Sequence, residues 1–180
     1  LPYPAEVVLA VIALDCTIYL QHLLFHITPF LWPFHLVHHV DLDLDVTSGV
    51  RFHPVENIIS MGIKLTAVIL LGASPLSVLV FEILLNATSM FNHSNIFIPL
   101  GLDRVIRLMI VTPDMHRVHH SVIIKETNSN YGFTLSWWDR IFFTYRAQPV
   151  KGHQEMLIGN ERFLEGKKQK LTWLLLLPFL

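Results

Sequence analysis

The stretch from Val55 to Phe91 is apolar almost throughout, and "GASP" at 72–75 divides it. As one helix it would be far too long for a bilayer; divided, it gives two legs of about 17 residues, each near the lower limit for a crossing. Gly72 suits a helix C-terminal cap, Ser74 an N-cap and Pro75 the first helical position. A helical hairpin is therefore expected, and a hairpin returns the chain to the side of the membrane it left. The segments 22–53 and 93–120 then end on one face. Lys64, inside the first leg, either snorkels or faces a cavity.

A further apolar segment, Pro4 to Ile27, is long enough to cross about 30 Å of hydrocarbon and leave its last turn outside. "TPFLWPF" at 28–34 breaks it with two prolines. Composition agrees: 52% of residues are hydrophobic and 15% charged, against about 25% charged in soluble domains. The net charge of −1 and the lack of a basic run give no support to nucleic-acid binding. A lone Cys16 rules out an internal disulfide framework and reads as a small buried side chain. At 180 residues the chain is long enough for a single domain, taken as 1–180. It starts at Leu1 with no charged signal region, so further membrane helices upstream are expected. The segment 102–109, with Arg104 and Arg107, reads as an amphipathic helix at the interface. "TPDMHRVHHS" opens another helix, 125–149 forms an ordered polar and aromatic cap, and the tail 151–180 docks on the membrane or the cap. The fold class is all-α: an integral membrane bundle of a helical hairpin plus a further helix, with a histidine-rich cap.

Eleven histidines punctuate this frame. "HLVHH" at 35–39 and "HRVHH" at 116–120 repeat one pattern, and "HLLFH" occupies 22–26. On a helix, positions i, i+3 and i+4 share a face. His35, His38 and His39 therefore point together, as do His116, His119 and His120, while His22 and His26 form an i, i+4 pair. These eight, with His93 at the end of the return leg, can line one chamber. Neutral imidazole suits zinc, copper, iron and nickel, and thiolate or carboxylate clusters are lacking. Nine ligands exceed what one ion takes, so two ions are expected. Rings of this polarity beside a membrane are costly unless they serve a site. His53 in "RFHPVE" is expected as a supporting or substrate-side residue, and Asp45 and Asp41 as carboxylates that steer imidazoles. His153 reads as an ordinary hydrogen-bonded histidine. "DLDLD" at 41–45 begins like a calcium loop, but Val46 replaces the required glycine and Phe52 the twelfth-position acid. No zincin "HExxH" occurs.

In this order and spacing, "HLLFH…HLVHHVDLDLDVTSGVRFHPVE…FNHSN…TPDMHRVHHS…NSNYGFTLSWWDR" resembles the fatty acid hydroxylase superfamily, also called the sterol desaturase family. The resemblance runs from about Gln21 to Gln148, and "RFHP" and "TPDMHRVHHS…WWDR" are most similar to its bacterial sterol desaturase-like branch and to alkylglycerol monooxygenase. It implies a membrane-bound non-haem di-iron enzyme that uses O₂ and electrons from an external donor, such as a cytochrome b5-like protein or a ferredoxin with its reductase. The iron ligands it implies are His22, His26, His35, His38, His39, His116, His119 and His120, with His93 as a further ligand. It also implies a histidine-rich face on the cytosolic side, of the bacterial inner membrane or of the endoplasmic reticulum. The reaction would hydroxylate an unactivated C–H bond of a fatty acyl, sterol or ether lipid. Desaturation on the same scaffold is the alternative. Phe30, Trp32, Phe34, Phe52, Phe91, Trp137 and Trp138 could form an acyl or sterol channel, or simply anchor and pack.

Two readings from another class share the histidines. A metal transporter would place ionisable residues in broken helices at mid-membrane, whereas here they collect at helix ends. A degenerate site holding structural zinc would tolerate missing motifs, whereas here the set is complete. The oxygenase reading is preferred.

Overall fold

The computed structural model describes residues 2–163 and 170–180. Three long helices carry the molecule. Helix α1 spans Tyr3–Ile27, and Pro29 stops its continuation. After a short helix α2, Trp32–His39, and a 3₁₀ turn, Val46–Val50, the hairpin follows as α3, Pro54–Leu71, and α4, Pro75–Asn92. The expected punctuation of the hairpin is observed. Gly72 closes α3 in the left-handed conformation at φ 61°. The Ser74 hydroxyl accepts from the Ser77 amide at 3.3 Å, ahead of Pro75.

All three helices are long and apolar enough to cross a membrane. Their outer faces are bare: Ile69 and Leu70 on α3 are 77% and 81% exposed. In water such a face would aggregate, but hydrocarbon is its natural solvent. The protein is a helical membrane bundle, and the described residues contain no strand beyond two isolated bridges. Helix α1 packs along both legs of the hairpin. Its contacts are apolar at Leu14 and Ile18, which meet Phe81 of α4 and Phe133 of the cap. They are polar at each end, where Glu6 accepts from the Ser77 hydroxyl at 3.1 Å and Gln21 donates to Ser60 at 2.8 Å.

Short helices build the cap: α5 at Leu100–Ile106, α6 at Pro113–His119, α7 at Ile124–Thr127, α8 at Trp137–Ile141 and α9 at Gly152–Glu155. Helix α5 departs from expectation in length and in one face. Leu102 and Val105 are exposed, as an interfacial helix requires, but Arg107 is buried. It pairs with buried Asp103 and donates to the Ala147 carbonyl at 2.7 Å, so it ties the cap together from inside. The tail docks on α2 through α10, Leu171–Leu176, where Leu174 and Leu177 bury against Val37 and Val40. Residues 164–169 of the expected docking tail lie outside the described residues. Cys16 is half-buried and free rather than fully buried.

Candidate metal centre

The hairpin returns its end to the level of the C-terminal turn of α1, and nine histidines converge there. His22 and His26 come from α1, His35, His38 and His39 from α2, His93 from the C-cap of α4, and His116, His119 and His120 from α6 and its cap. They fall into two groups. His22, His26, His35, His39 and His119 form one; His38, His93, His116 and His120 form the other. Within each group the ligand atoms all lie within 4.8 Å of one another. A metal–nitrogen bond of about 2.1 Å places opposite donors about 4.2 Å apart, so each group matches one ion. The groups adjoin: the His39 ring of the first stacks on His120 of the second, with centroids 4.6 Å apart.

Eight of the nine are buried; His26 alone is partly exposed, in a groove with Trp32 and Asn128. Several rings are aimed by what holds their outer nitrogen. His22 donates from Nδ1 to the Tyr131 carbonyl at 2.8 Å, and His119 to the Ser129 carbonyl at 2.7 Å. His93 donates to the Ser89 carbonyl at 2.7 Å, and His35 to the Glu56 carboxylate at 2.6 Å. Such outer partners fix the tautomer and leave Nε2 with its lone pair. The result decides what the cluster can be. Nε2 of His22 and Nε2 of His35 face each other at 3.1 Å, and both rings already donate through Nδ1. A metal ion between these two nitrogens would be bound by both.

Six further ring nitrogens in the nine, among them Nε2 of His26 and His119, are buried without a direct hydrogen-bond partner. At about 1–3 kcal/mol for each unsatisfied group, that cost rivals a whole fold's stability of about 5–15 kcal/mol. Burial, and then the neighbouring imidazoles, hold His38, His39, His116 and His120 well below the ordinary histidine value. Burial lowers His93 to about 4 and His119 to about 3. At neutral pH these six rings are therefore uncharged donors, which is what a divalent metal needs.

Other expected residues lie elsewhere. His53 belongs to neither group: it caps α3, its Nδ1 accepting from the Val55 amide at 3.1 Å, while Nε2 faces the Leu175 carbonyl at 3.3 Å. Asp45 is exposed and caps the 3₁₀ turn, accepting from the Thr47 amide at 2.7 Å. Asp41 binds Ser48 and pairs with Arg51 at 2.8 Å, and its charge acts on His93, opposing the effect of burial there. His153 is half-buried at 3.9 Å from Asp114 and lacks a direct hydrogen bond. Of the aromatic channel candidates, Phe52 lines the cavity beside the site and stacks on His38. Phe34 instead packs on His53 and Phe179 of the tail, Trp137 donates to the Leu108 carbonyl, and Trp138 donates to Asp15.

The residues that aim the rings escaped the sequence reading. Glu56, Ser89, Ser129 and Tyr131 were not singled out, nor was Asp139. Asp139 accepts from the amides of Tyr131 and Gly132 at 2.8 and 2.9 Å, and from the Thr144 hydroxyl at 2.7 Å. It thereby shapes the loop that presents the Tyr131 carbonyl to His22. A Cβ on Gly132 would come within 2.8 Å of that carboxylate, so the loop needs glycine there. The faint signal was polar density in "NSNYGF" and "WWDR".

A cavity of about 310 Å³ adjoins the first group at His22 and His35 and extends between α1, α3 and α4. With that geometry in view, the family model described as fatty acid hydroxylase matches residues 7–144. The chain belongs to the fatty acid hydroxylase family. This hydroxylase-family chain is 33% identical to ornithine lipid hydroxylase OlsE of Rhizobium tropici, over 82% of its own length and 44% of that protein's. It is 27% identical to human cholesterol 25-hydroxylase, over 81% and 53% of the two chains. Human alkylglycerol monooxygenase is 29% identical over 79% and 31%. The chain thus spans between about a third and a half of these relatives. No solved structure matches it.

Proposed function

We propose that this protein is a membrane-bound di-iron lipid hydroxylase. The observation that carries the reading is the division of nine histidines into a group of five and a group of four, beside a cavity lined by membrane helices. Its family and its lipid-hydroxylating and monooxygenase relatives support the same chemistry. In the overall reaction a C–H bond becomes C–OH, one oxygen atom of O₂ enters the product, and the other leaves as water with two external electrons and two protons. Bound iron would supply the O₂-dependent redox chemistry.

The chain's own residues do the rest. His22, His26, His35, His39 and His119 would hold one ion, and His38, His93, His116 and His120 the other. Glu56, Ser89, Ser129 and the Tyr131 carbonyl fix the rings so that their free nitrogens converge before metal arrives. The cavity would place a substrate carbon near His22 and His35. The partly exposed edge at His26 is the side from which electrons from a soluble or membrane-bound donor would arrive, with the cap cytosolic.

The deciding experiment is metal stoichiometry by mass spectrometry on the full-length protein from iron-supplied cells, with reductant-driven O₂ uptake followed in parallel. Two irons per chain and O₂ uptake stimulated by membrane lipid are expected. Tightly held zinc without O₂ uptake, after zinc exchange is excluded, would overturn the reading in favour of a structural site.

A further inference from the structure

The cavity beside His22 and His35 has two unlike walls. Phe25, Phe52, Leu85 and Phe133 make one wall apolar, as a lipid chain requires. The other is polar, and it lies within the membrane helices. Glu56, Ser60 and Lys64 recur at helical spacing on α3 and face Gln21 of α1 and Glu82 of α4. Lys64 and Glu82 pair at 2.7 Å, with the Lys64 side chain 15% and the Glu82 side chain 37% exposed. A second cavity in the same bundle, between α1 and α4, is walled chiefly by Val7, Val11, Ile12, Phe81 and Leu84. An apolar void was thus available to this fold, so the polar wall is particular to the cavity at the site.

Ionisable side chains in a membrane segment are costly and mark substrate or ion paths. Two features define what would occupy this one. The wall carries two carboxylates, Glu56 and Glu82, against one ammonium, Lys64. Two of its acceptors, Glu56 Oε2 and Gln21 Oε1, are buried with no direct hydrogen-bond partner, and the Glu56 residue is only 4% exposed. Acceptors in surplus call for a donor.

We propose that this cavity binds the part of a lipid that carries an N–H or O–H donor, with Gln21, Glu56 and Glu82 accepting from it and Lys64 holding Glu82 in place. The proposal rests on the reading that the adjoining site acts on lipids. From Glu56 to Lys64 is eight residues of helix, or about 12 Å. The favoured substrate therefore carries its amine or hydroxyl within about that distance of the carbon attacked, measured on the same helix rise. A plain hydrocarbon chain leaves the acceptors unpaired, and a site built to bond such a donor discriminates against analogues lacking it.

The test uses the full-length protein in phosphatidylcholine nanodiscs and measures retention of three lipids of matched chain length by native mass spectrometry. The three are an amine-headed ornithine lipid, a hydroxyl-headed alkylglycerol and a donor-free fatty acid methyl ester. At least one donor lipid should be retained about tenfold or more over the methyl ester, and which one wins identifies the donor. Gln21→Leu, which removes one of the two unpaired acceptors, should weaken that preference about threefold or more while iron content stays at the wild-type level. Equal retention of the methyl ester by the wild-type protein would overturn the proposal. The charge-swapped Lys64→Glu/Glu82→Lys protein keeps the ion pair and a carboxylate in the same wall, so it should retain the donor preference, and loss of the preference there would overturn the proposal. Iron content and O₂ uptake are read separately. Donor selectivity in a protein without iron would refute the oxygenase and leave this assignment standing.

Discussion

At the scale of single residues, four of the nine imidazoles are aimed by a hydrogen bond on their outer nitrogen, which prepares the cluster to hold metal. His119 sits in the group of five and His116 in the group of four. His119→Ala and His116→Ala should each lower the metal content from about two per chain toward one, with loss of O₂ uptake, because each removes one donor from one ion. Loss of neither metal in one of these variants would remove that residue from the ligand set. Glu56 acts one bond further out. Its carboxylate holds His35 at 2.6 Å, and such partners typically set metal affinity within a factor of about 10–100. Glu56→Gln keeps an acceptor oxygen but removes the charge, so chelator competition should show iron leaving the first group about tenfold more readily. An unchanged chelation curve would show that the carboxylate charge contributes nothing. The grouping of the histidines was legible in the sequence because i, i+3, i+4 spacing is a local property of a helix. Glu56 was not, because its role depends on α3 starting at Pro54 and turning that side chain back on α2. His53, three residues earlier, attracted notice by type, yet it serves as the helix cap that lets α3 begin there.

At the scale of elements, the hairpin was legible and the cap was not. Gly72, Ser74 and Pro75 are turn chemistry that acts within a few residues, and the structure uses all three as expected. The cap is instead held by long-range hydrogen bonds from buried polar side chains to backbone. Asn130, at φ 53°, donates to the carbonyls of Met115 and Arg146 at 2.9 Å each. Asp139 clamps the turn at Tyr131 and Gly132. No periodicity announces such contacts, and Arg107 was misplaced at the interface for the same reason: its partners Asp103 and Ala147 are found only by folding. The Asp139 clamp has a measurable signature. Burial raises its carboxyl to about 6, against the opposing hydrogen bonds from Thr144, Gly132 and Tyr131. Between the ordinary value of 3.8 and about 6 the folded state holds a proton that the unfolded state has lost. Stability therefore falls as pH rises through that window, by about 3 kcal/mol at one unit per 1.36 kcal/mol, and is flat above it. Asp139→Asn should be less stable at low pH and should lack this slope. Denaturation midpoints in detergent at pH 4 and 6.5 measure the difference, and an identical slope in the variant would contradict the burial argument.

At the scale of the whole molecule, the membrane bundle and the histidine centre are one construction. The lipid-facing helices gain little from packing on one another, since hydrocarbon is as apolar as their side chains. The polar centre where α1, α2, α4 and α6 meet is what cross-links them, and without metal it is a store of unsatisfied nitrogens. The metal-free protein should therefore respond to acid through its histidines. His93 is lowered to about 4 and His119 to about 3, while the unfolded chain takes up protons near 6.5. Below 6.5 the unfolded state binds more protons than the folded one, so this contribution is fully present above 6.5 and is lost progressively as pH falls toward 4 and 3. Several rings do this together, so the loss should be steep, and it should run against the Asp139 slope across the window from 3.8 to about 6. Chelator-treated protein should lose its cap first, because α2, α6 and His93 contribute seven of the nine rings. The three long helices stay in the bilayer, where every backbone group is already bonded. Hydrogen exchange at pH 7 and pH 5, with and without iron, distinguishes these outcomes. Cap amides around 112–121 should lose protection at pH 5 only when iron is absent, while those of α3 stay protected. Equal protection of the cap at both pH values in the metal-free protein would mean that direct packing, rather than metal, holds the centre together.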